Sequence, residues 1–305
     1  MRVGAAEDGL RLDTFLARRL GVGRRTAARL ATHARVNGRP AAKGRLLASG
    51  DSVSVTLPAV PADPARTPPT LVAVEGSVVI LAKPPGLATV TIAGRLVPSV
   101  ARWLAAQRPE CAPIGRPGEA GLVHRLDTGT SGILLAARNA SAYATLRNDF
   151  RHHRIEKSYL AVVWGAIEAA RTIDAPIGQH RKSRTGVRAL PAGPHPRYAV
   201  TPAETRVVPI APIGPATLVE ATTRTGARHQ IRAHLAHIGH PLVADARYGG
   251  DRTPGLGAFL LHATQLRWRD PDTGQALCHR CDPPRGWSQA LAVLRGPADG
   301  TVRRN

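Results

Sequence analysis

Cysteine, lysine, acidic side chains and long apolar runs are all scarce in this chain, and each scarcity narrows what it can be. Three cysteines among 305 residues are too few for a disulfide framework. Cys278-His-Arg-Cys281 lacks the second pair that a tetrahedral zinc site needs, so no structural metal is expected. No apolar run reaches the roughly 20 residues that cross a bilayer. The opening Met1-Arg-Val-Gly-Ala-Ala-Glu7-Asp8 places acids where a secretory signal needs an unbroken apolar core. A cytoplasmic protein with no membrane partner is the expectation. Its 43% hydrophobic content suffices for a sizeable core and more than one domain.

Against 21 acids stand 42 lysines and arginines, a formal net charge of +21. Such a surplus favours a polyanionic partner. Nucleic acid leads, because no basic amphipathic helix with a strong apolar face argues for a membrane surface. Only Lys43, Lys83, Lys157 and Lys182 are lysines. So strong an arginine bias fits codon usage as well as bidentate phosphate binding. It does make a retained lysine informative, and Lys83 and Lys157 both fall in motifs described below.

The stretch from Thr56 to Thr70 holds five prolines and little apolar content, so residues 59–70 are expected to form an extended linker. It divides a small domain, 1–58, from a large one, 71–296, with 297–305 as a flexible tail. In the small domain Leu12, Phe15, Leu16 and Leu20 recur at helical spacing, and a second helix is expected from Arg24 to His33. Arg35-Val-Asn-Gly38 reads as strand and turn, and Gly50-Asp51-Ser-Val-Ser-Val55 as a turn leading into a strand. Residues 1–58 carry a surplus of seven positive charges, with Arg24, Arg25 and Arg29 near one helical face, as a solvated helix or a phosphate grip would have. Arg11-Leu-Asp-x-Phe-Leu, the basic helix, Val36-Asn37-Gly38 and Gly50-Asp51-x-Val together resemble the alpha-L, ribosomal-protein-type RNA-binding domain. That resemblance implies RNA contacts at those three arginines, although Gly23-Arg-Arg departs from the usual Ser-Arg start of the second helix.

In the large domain Val78–Ala82 is an apolar run stopped by Lys83-Pro-Pro-Gly86, a buried strand entering a rigid turn. Residues 132–137 and 158–164 are further strand candidates. Helices are expected over 140–151 and 230–238, the latter ended by Gly239 and Pro241. Residues 171–200, rich in glycine, proline and basic side chains, read as an irregular loop. Strands and helices mix without strict alternation, so the fold expected is α+β on a mixed, largely antiparallel sheet, with a small N-terminal α/β domain.

Taken alone, Asp127 in Asp-Thr-Gly-Thr-Ser-Gly132 is a turn aspartate. Its neighbours change that reading. His124-Arg125-Leu126-Asp127-x-x-Thr-Ser-Gly132, followed by an apolar strand, resembles the catalytic motif of the RluA-type pseudouridine synthases. Lys83-Pro-x-Gly86, Glu156-Lys157-Ser-Tyr159, Arg228-His229-Gln230-Ile231-Arg232, Gly239-His-Pro241 through Asp245-x-x-Tyr248, and Leu261-His262-Ala263 follow in that family's order. The resemblance implies an isomerisation of uridine in RNA. The N1–ribose bond is cut, the base turns, and carbon 5 is joined instead, with no cofactor and no metal. A carboxylate ionised at neutral pH adds to the uracil ring or to ribose carbon 1′ and later leaves. By the resemblance Asp127 is that nucleophile, Arg232 its cationic partner and Tyr159 the aromatic against the base. Lys83, His124, Arg125, Leu126 and His229 are implied as substrate contacts. Ribosomal RNA of the large subunit is the expected target ahead of tRNA, and the protein is expected to be a monomer. A non-catalytic RNA-binding or ribosome-assembly protein is the rival class. Thr225-Gly226-Ala227-Arg228 shifts an arginine by one position from the family pattern, and Asp270-Pro271 stands where His-Pro is common. His229, His234, His237 and His240 step along one helix, but no acid or cysteine nearby completes a metal site.

Overall fold

A computed structural model describes residues 1–19, 27–28, 30–55, 67–90, 97–182, 186–250 and 258–295. Arg24, Arg25, Arg29, most of the expected linker and the expected tail lie outside the described residues.

The N-terminal part builds its own core. Helical spacing turns Leu12, Phe15 and Leu16 of helix α1 (Leu12–Arg19) to one side. They pack with Val3, Val36, Leu47 and Val53. Strands β1 (Ala34–Val36), β2 (Arg39–Pro40) and β3 (Val53–Val55) form an antiparallel sheet in the order β2-β1-β3. Asn37, at φ 51°, makes the tight turn after β1. Its side chain accepts from the Ser52 amide (2.8 Å) and donates to the Asp51 carboxylate (2.7 Å). The two short motifs seen in sequence are therefore one interlock between neighbouring turns.

The large sheet is built from β4 (Thr70–Glu75), β5 (Val78–Lys83), β6 (Ser131–Ala137), β7 (Glu156–Trp164) and β8 (Arg171–Ile173). Beyond β9 (Ile177–His180), β10 (Val187–Ala189) and β11 (Tyr198–Thr201), which form a separate small sheet, it is completed by β12 (Thr205–Ile213), β13 (Ala216–Thr223), β14 (Leu261–Arg269) and β15 (Ala276–Arg280). The order is β4-β5-β6-β14-β7-β13-β12-β8, with β15 paired to β14. All its pairings are antiparallel except β6 with β14. This is the mixed, largely antiparallel α+β fold. Every residue of β6 is buried, as befits an unbroken apolar strand covered on both faces.

Helices α2 (Val100–Gln107) and α3 (Ala140–Arg151) begin on Ser99 and Asn139, whose side chains accept the amides of Arg102 and Ala142. Helix α4 (Gln230–His237) carries the motif arginine, and α5 (Gly286–Arg295) packs Trp287 and Leu294 with Val162 and Ile213. Among the described residues no helix is long and apolar enough to cross a membrane.

Residues 171–200 are not an irregular loop. They hold β8 and the small sheet, in the order β10-β9-β11. The glycines and prolines concealed it, because β9 owes its hydrogen bonds to two other short strands, β10 and β11, and not to any pattern of its own. Asp270 also gains a reason. Its carboxylate accepts the amides of Asp272 and Thr273 (2.8 and 2.9 Å), shaping the β14–β15 turn.

Gly132 governs the parallel join. It sits at φ 119°, and a β-carbon there would press into the backbone of Ala263 on β14. Replacing it with alanine strains the backbone and separates the strands. Gly132→Ala is expected to lower stability by about 3 kcal/mol or more in urea unfolding. Gly186→Ala, where a β-carbon meets open space, should stay within about 0.5 kcal/mol of the parent.

Candidate active site

Asp127 lies on the irregular approach to β6, and its position depends on contacts from the turn after β5. Lys83 is 2% exposed. Its ammonium donates to the carbonyls of Pro84 (3.0 Å), Leu87 (2.8 Å) and Thr128 (3.1 Å). Three acceptors match the three N–H bonds of an ammonium. Burial pushes its pKa down to about 7, with the nearby charge of Asp127 pulling upward. The Gly86 amide also reaches the Thr128 carbonyl, at 2.8 Å. Thr89 Oγ1 donates to the Leu126 carbonyl (2.7 Å) and accepts the Leu126 amide (3.1 Å). The peptides on both sides of Asp127 are thus clamped while its side chain remains 24% exposed.

Helix α4 presents Arg232 from the opposite wall. The guanidinium is 8% exposed and forks onto Asp245, with Nε–Oδ2 at 2.7 Å and Nη2–Oδ1 at 2.8 Å. Its remaining nitrogen, Nη1, donates to Asp127 Oδ2 at 3.0 Å. The rings of Phe259 and Tyr248 lie 4.2 and 4.9 Å from the guanidinium carbon, a cation–π setting that holds the fork in plane. Burial alone would weaken this base. The hydrogen bonds and charges of Asp245 and Asp127 more than offset that and raise its pKa above the ordinary value.

His229 precedes the helix in the left-handed region, at φ 52°. Its Nδ1 meets the Tyr248 hydroxyl at 2.9 Å, and its Nε2 lies 3.7 Å from Asp127. Burial pushes its pKa down, against the pull of Asp127, so near neutral pH the contact with Asp127 is not an ion pair. Gln230 fixes the start of the helix. Its amide nitrogen donates to Glu204 O, Thr205 Oγ1 and Thr223 Oγ1, and its oxygen accepts from Thr225 Oγ1 and the Ala227 amide.

These elements enclose a cavity of about 470 Å³ in which Asp127, Arg232, Tyr159, His124, Arg125, Leu126, His229 and Lys157 all take part. Tyr159, on β7 between β13 and β14, is 8% exposed. Burial, then the charge of Asp127, pushes its pKa up, so it is a neutral phenol. The His124 ring stacks on Phe150 at 4.6 Å and its Nε2 accepts the Leu135 amide at 3.0 Å. Burial, with Lys157 and Arg147 nearby, pushes it down to about 3, so this imidazole is neutral. Arg125 is exposed. Lys157, pushed down by burial to about 8, donates to the carbonyls of Arg224 and Thr225 (3.0 and 2.6 Å).

The structure thus gathers Asp127, Arg232, Tyr159, His124, Arg125, Leu126 and His229 around one cavity. Lys83 it places behind the Asp127 loop, outside the cavity lining. Asp245 was visible in sequence only as part of a motif, and nothing in the local pattern points to Phe259. The stepped histidines do not converge. His234 bonds Thr205 and Ala175, and His240 bonds the Trp164 carbonyl. Among the described residues no group of three or more metal-type ligands forms.

Chemically, the arrangement offers a carboxylate aimed into a half-enclosed cavity, oriented by one guanidinium nitrogen, beside a neutral phenol ring. A model of the family described as RNA pseudouridylate synthase matches residues 77–237. The chain is 35% identical over 300 residues to an uncharacterized RNA pseudouridine synthase of Mycobacterium bovis, covering 94% of this chain and 95% of that protein. It is 32% identical over 246 residues to ribosomal large subunit pseudouridine synthase D of Escherichia coli, covering 76% of this chain and 72% of that one. In fold it is similar to human RNA pseudouridylate synthase domain containing 4, with a TM-score of 0.58 at 21% identity over 74% of this chain and 92% of that one.

Removing Asp245 leaves the buried Arg232 charge with a single carboxylate. Asp245→Ala is expected to cost about 3 kcal/mol of stability, read by chemical denaturation. An unchanged midpoint would show that the fork onto Asp245 contributes no net stability.

Proposed function

The chain belongs to the RNA pseudouridylate synthase family, and on that premise we propose that Asp127 is the nucleophile with which this RNA pseudouridine synthase isomerises a uridine of large-subunit ribosomal RNA. The observation that carries the reading is the single 3.0 Å bond from Arg232 to Asp127. It orients the carboxylate toward the cavity and leaves its other oxygen without a guanidinium partner. A carboxylate so held can attack an electrophilic carbon and still depart.

A uridine stacked in RNA must be turned out to reach this cavity. Asp127 adds to carbon 6 of the uracil or to ribose carbon 1′. The N1–C1′ bond breaks, the base rotates, and the C5–C1′ bond forms. An Asp127 bond to carbon 1′ breaks as C5–C1′ forms, whereas one to carbon 6 breaks afterwards; in both cases carbon 5 gives up its proton and N1 takes one. Atoms and charge balance without a cofactor or metal. Tyr159 supplies a ring face against the base. As a neutral phenol it can donate a proton or pass one on, but it does not begin as a base. Asp245, Phe259 and Tyr248 position Arg232 rather than touch the uridine.

The N-terminal residues 1–58, whose described part has its own core, act in this reading as an RNA-binding unit of the alpha-L type. Arg24, Arg25 and Arg29 are assigned to RNA on the sequence resemblance alone. Large-subunit ribosomal RNA is the favoured target because the Escherichia coli relative is named for that substrate and because of this accessory unit. A tRNA target is the alternative.

Tritium release from RNA carrying [5-³H]uridine measures the reaction directly. Asp127→Ala is expected to reduce release at least roughly 10⁴-fold, and Arg232→Lys, which loses the planar fork, roughly 10²-fold. Tyr159→Phe should retain more turnover than Tyr159→Leu if the ring face matters more than the hydroxyl. Wild-type rates from Asp127→Ala would remove Asp127 as the nucleophile. Pseudouridine mapping in cells with and without the protein identifies the RNA, and a lost site confined to tRNA would overturn the ribosomal assignment.

A further inference from the structure

A second concavity, of about 310 Å³, has Arg154, Glu156, Arg224, Arg267, Arg269 and Trp268 among its lining residues. Strand register explains the convergence. Thr223 pairs with Lys157, which places Arg224 beside Glu156, and Arg267 of β14 pairs with Glu156 from the other side. Glu156 thus stands between two arginines, with Arg224 Nη2 at 3.0 Å and Arg267 Nη1 at 3.4 Å. Arg269 lies two residues along the same strand and so on the same face as Arg267. Arg154 enters from the turn after α3, paired with Asp149 at 2.6 Å.

One shared carboxylate cannot neutralise this cluster. Counting Asp149, four guanidiniums face two carboxylates. The side chains of Arg154, Arg224 and Arg267 remain 50%, 66% and 57% exposed. Glu156 is the strand neighbour of Lys157, which lines the first cavity, so the two side chains take opposite faces of β7 and the groove opens on the other face of the sheet from the Asp127 cavity.

We propose that the groove formed by Arg154, Arg224, Arg267 and Arg269 is a second RNA site, which grips backbone phosphates of the substrate RNA away from the reacting uridine. Exposed arginines suit this task because the planar fork pairs with two phosphate oxygens at once. Phosphate contacts of this kind set register and affinity without reading sequence. Glu156 keeps the two central guanidiniums spread and is displaced from one or both as phosphate arrives. The assignment rests on the reading that the uridine reacts at Asp127, and its test separates the two.

The full chain would be titrated with a fluorescent single-stranded 20-nucleotide RNA rich in uridine, across a range of potassium chloride concentrations. The double variant Arg224→Gln/Arg267→Gln is expected to bind about 10-fold more weakly and to flatten the salt dependence by about 1.4 in log–log slope, the share of two phosphate contacts on a single strand. Arg224→Lys/Arg267→Lys retains the charge and should recover most of both, which distinguishes phosphate binding from a folding defect. In tritium release the glutamine pair should raise KM and leave kcat near wild type. Unchanged RNA affinity and slope would overturn the second site. Equal weakening by glutamine and lysine pairs would also overturn it, as would a loss confined to binding of polyglutamate, which would assign the groove to an acidic protein instead. Failure of the Asp127 reading has a different signature, wild-type turnover in Asp127→Ala, and leaves the salt titration unaffected.

Discussion

The guanidinium of Arg232, divided between Asp245 and Asp127, is the contact on which the rest of the site depends. A buried cation with one carboxylate partner would be drawn fully onto it, and a buried carboxylate with no cation would be costly to keep ionised. Two bonds to the nearly inaccessible Asp245 anchor the fork. One bond to the more exposed Asp127 is what remains for the cavity side. That asymmetry lets Asp127 be held in place without being consumed in a closed ion pair. Phe259 and Tyr248 limit tilting of the guanidinium plane, and Tyr248 extends the network to His229.

The opposite wall needs an equally firm backing, because a carboxylate on an irregular segment is only as well placed as its neighbouring peptides. Lys83 and Thr89 provide it through main-chain contacts alone, binding the carbonyls and amide on either side of Asp127. The same economy of means appears at Lys157, whose ammonium fastens the loop from Arg224 to Thr225. In a chain so rich in arginine, both lysines serve where a compact cation with three donors fits a cluster of carbonyls and a planar fork would not. Arg232 is the buried exception among arginines that, in the groove of Arg154, Arg224 and Arg267, remain exposed.

Binding and chemistry thus share strands. Residue 156 of β7 belongs to the basic groove, residue 157 to the loop clamp and residue 159 to the aromatic wall. The groove and the cavity are thus carried by the same strands of one sheet. Gly132, which admits β14 against β6, is part of the same requirement, since β14 contributes Arg267 to the groove and pairs with Tyr159 through Ala263.

Much of this was legible in the linear chain. The apolar runs at 78–82, 132–137 and 158–164 and the helices at 140–151 and 230–237 are local signals, written in periodicity and caps, and they survive folding. Asp127, Tyr159 and Arg232 were legible only through motif resemblance, since each alone reads as a turn acid, a strand aromatic or a helix-face charge. The sheet over 177–201 was hidden because its hydrogen bonds join segments whose own composition favours turns. Phe259 was hidden because stacking on Arg232 is a relation across the fold and not along it. Sequence by itself determined which side chains were available, which of the strongly periodic or apolar segments would be helix or strand, and which family motifs the chain carries. Tertiary structure alone decided that Arg232 is shared between two carboxylates, that Lys83 faces carbonyls and not the cavity, and that four distant arginines line one groove. The reason is geometric: periodicity constrains neighbours a few residues apart, while hydrogen-bond and charge partnerships are settled by strand register and by which surfaces are buried together.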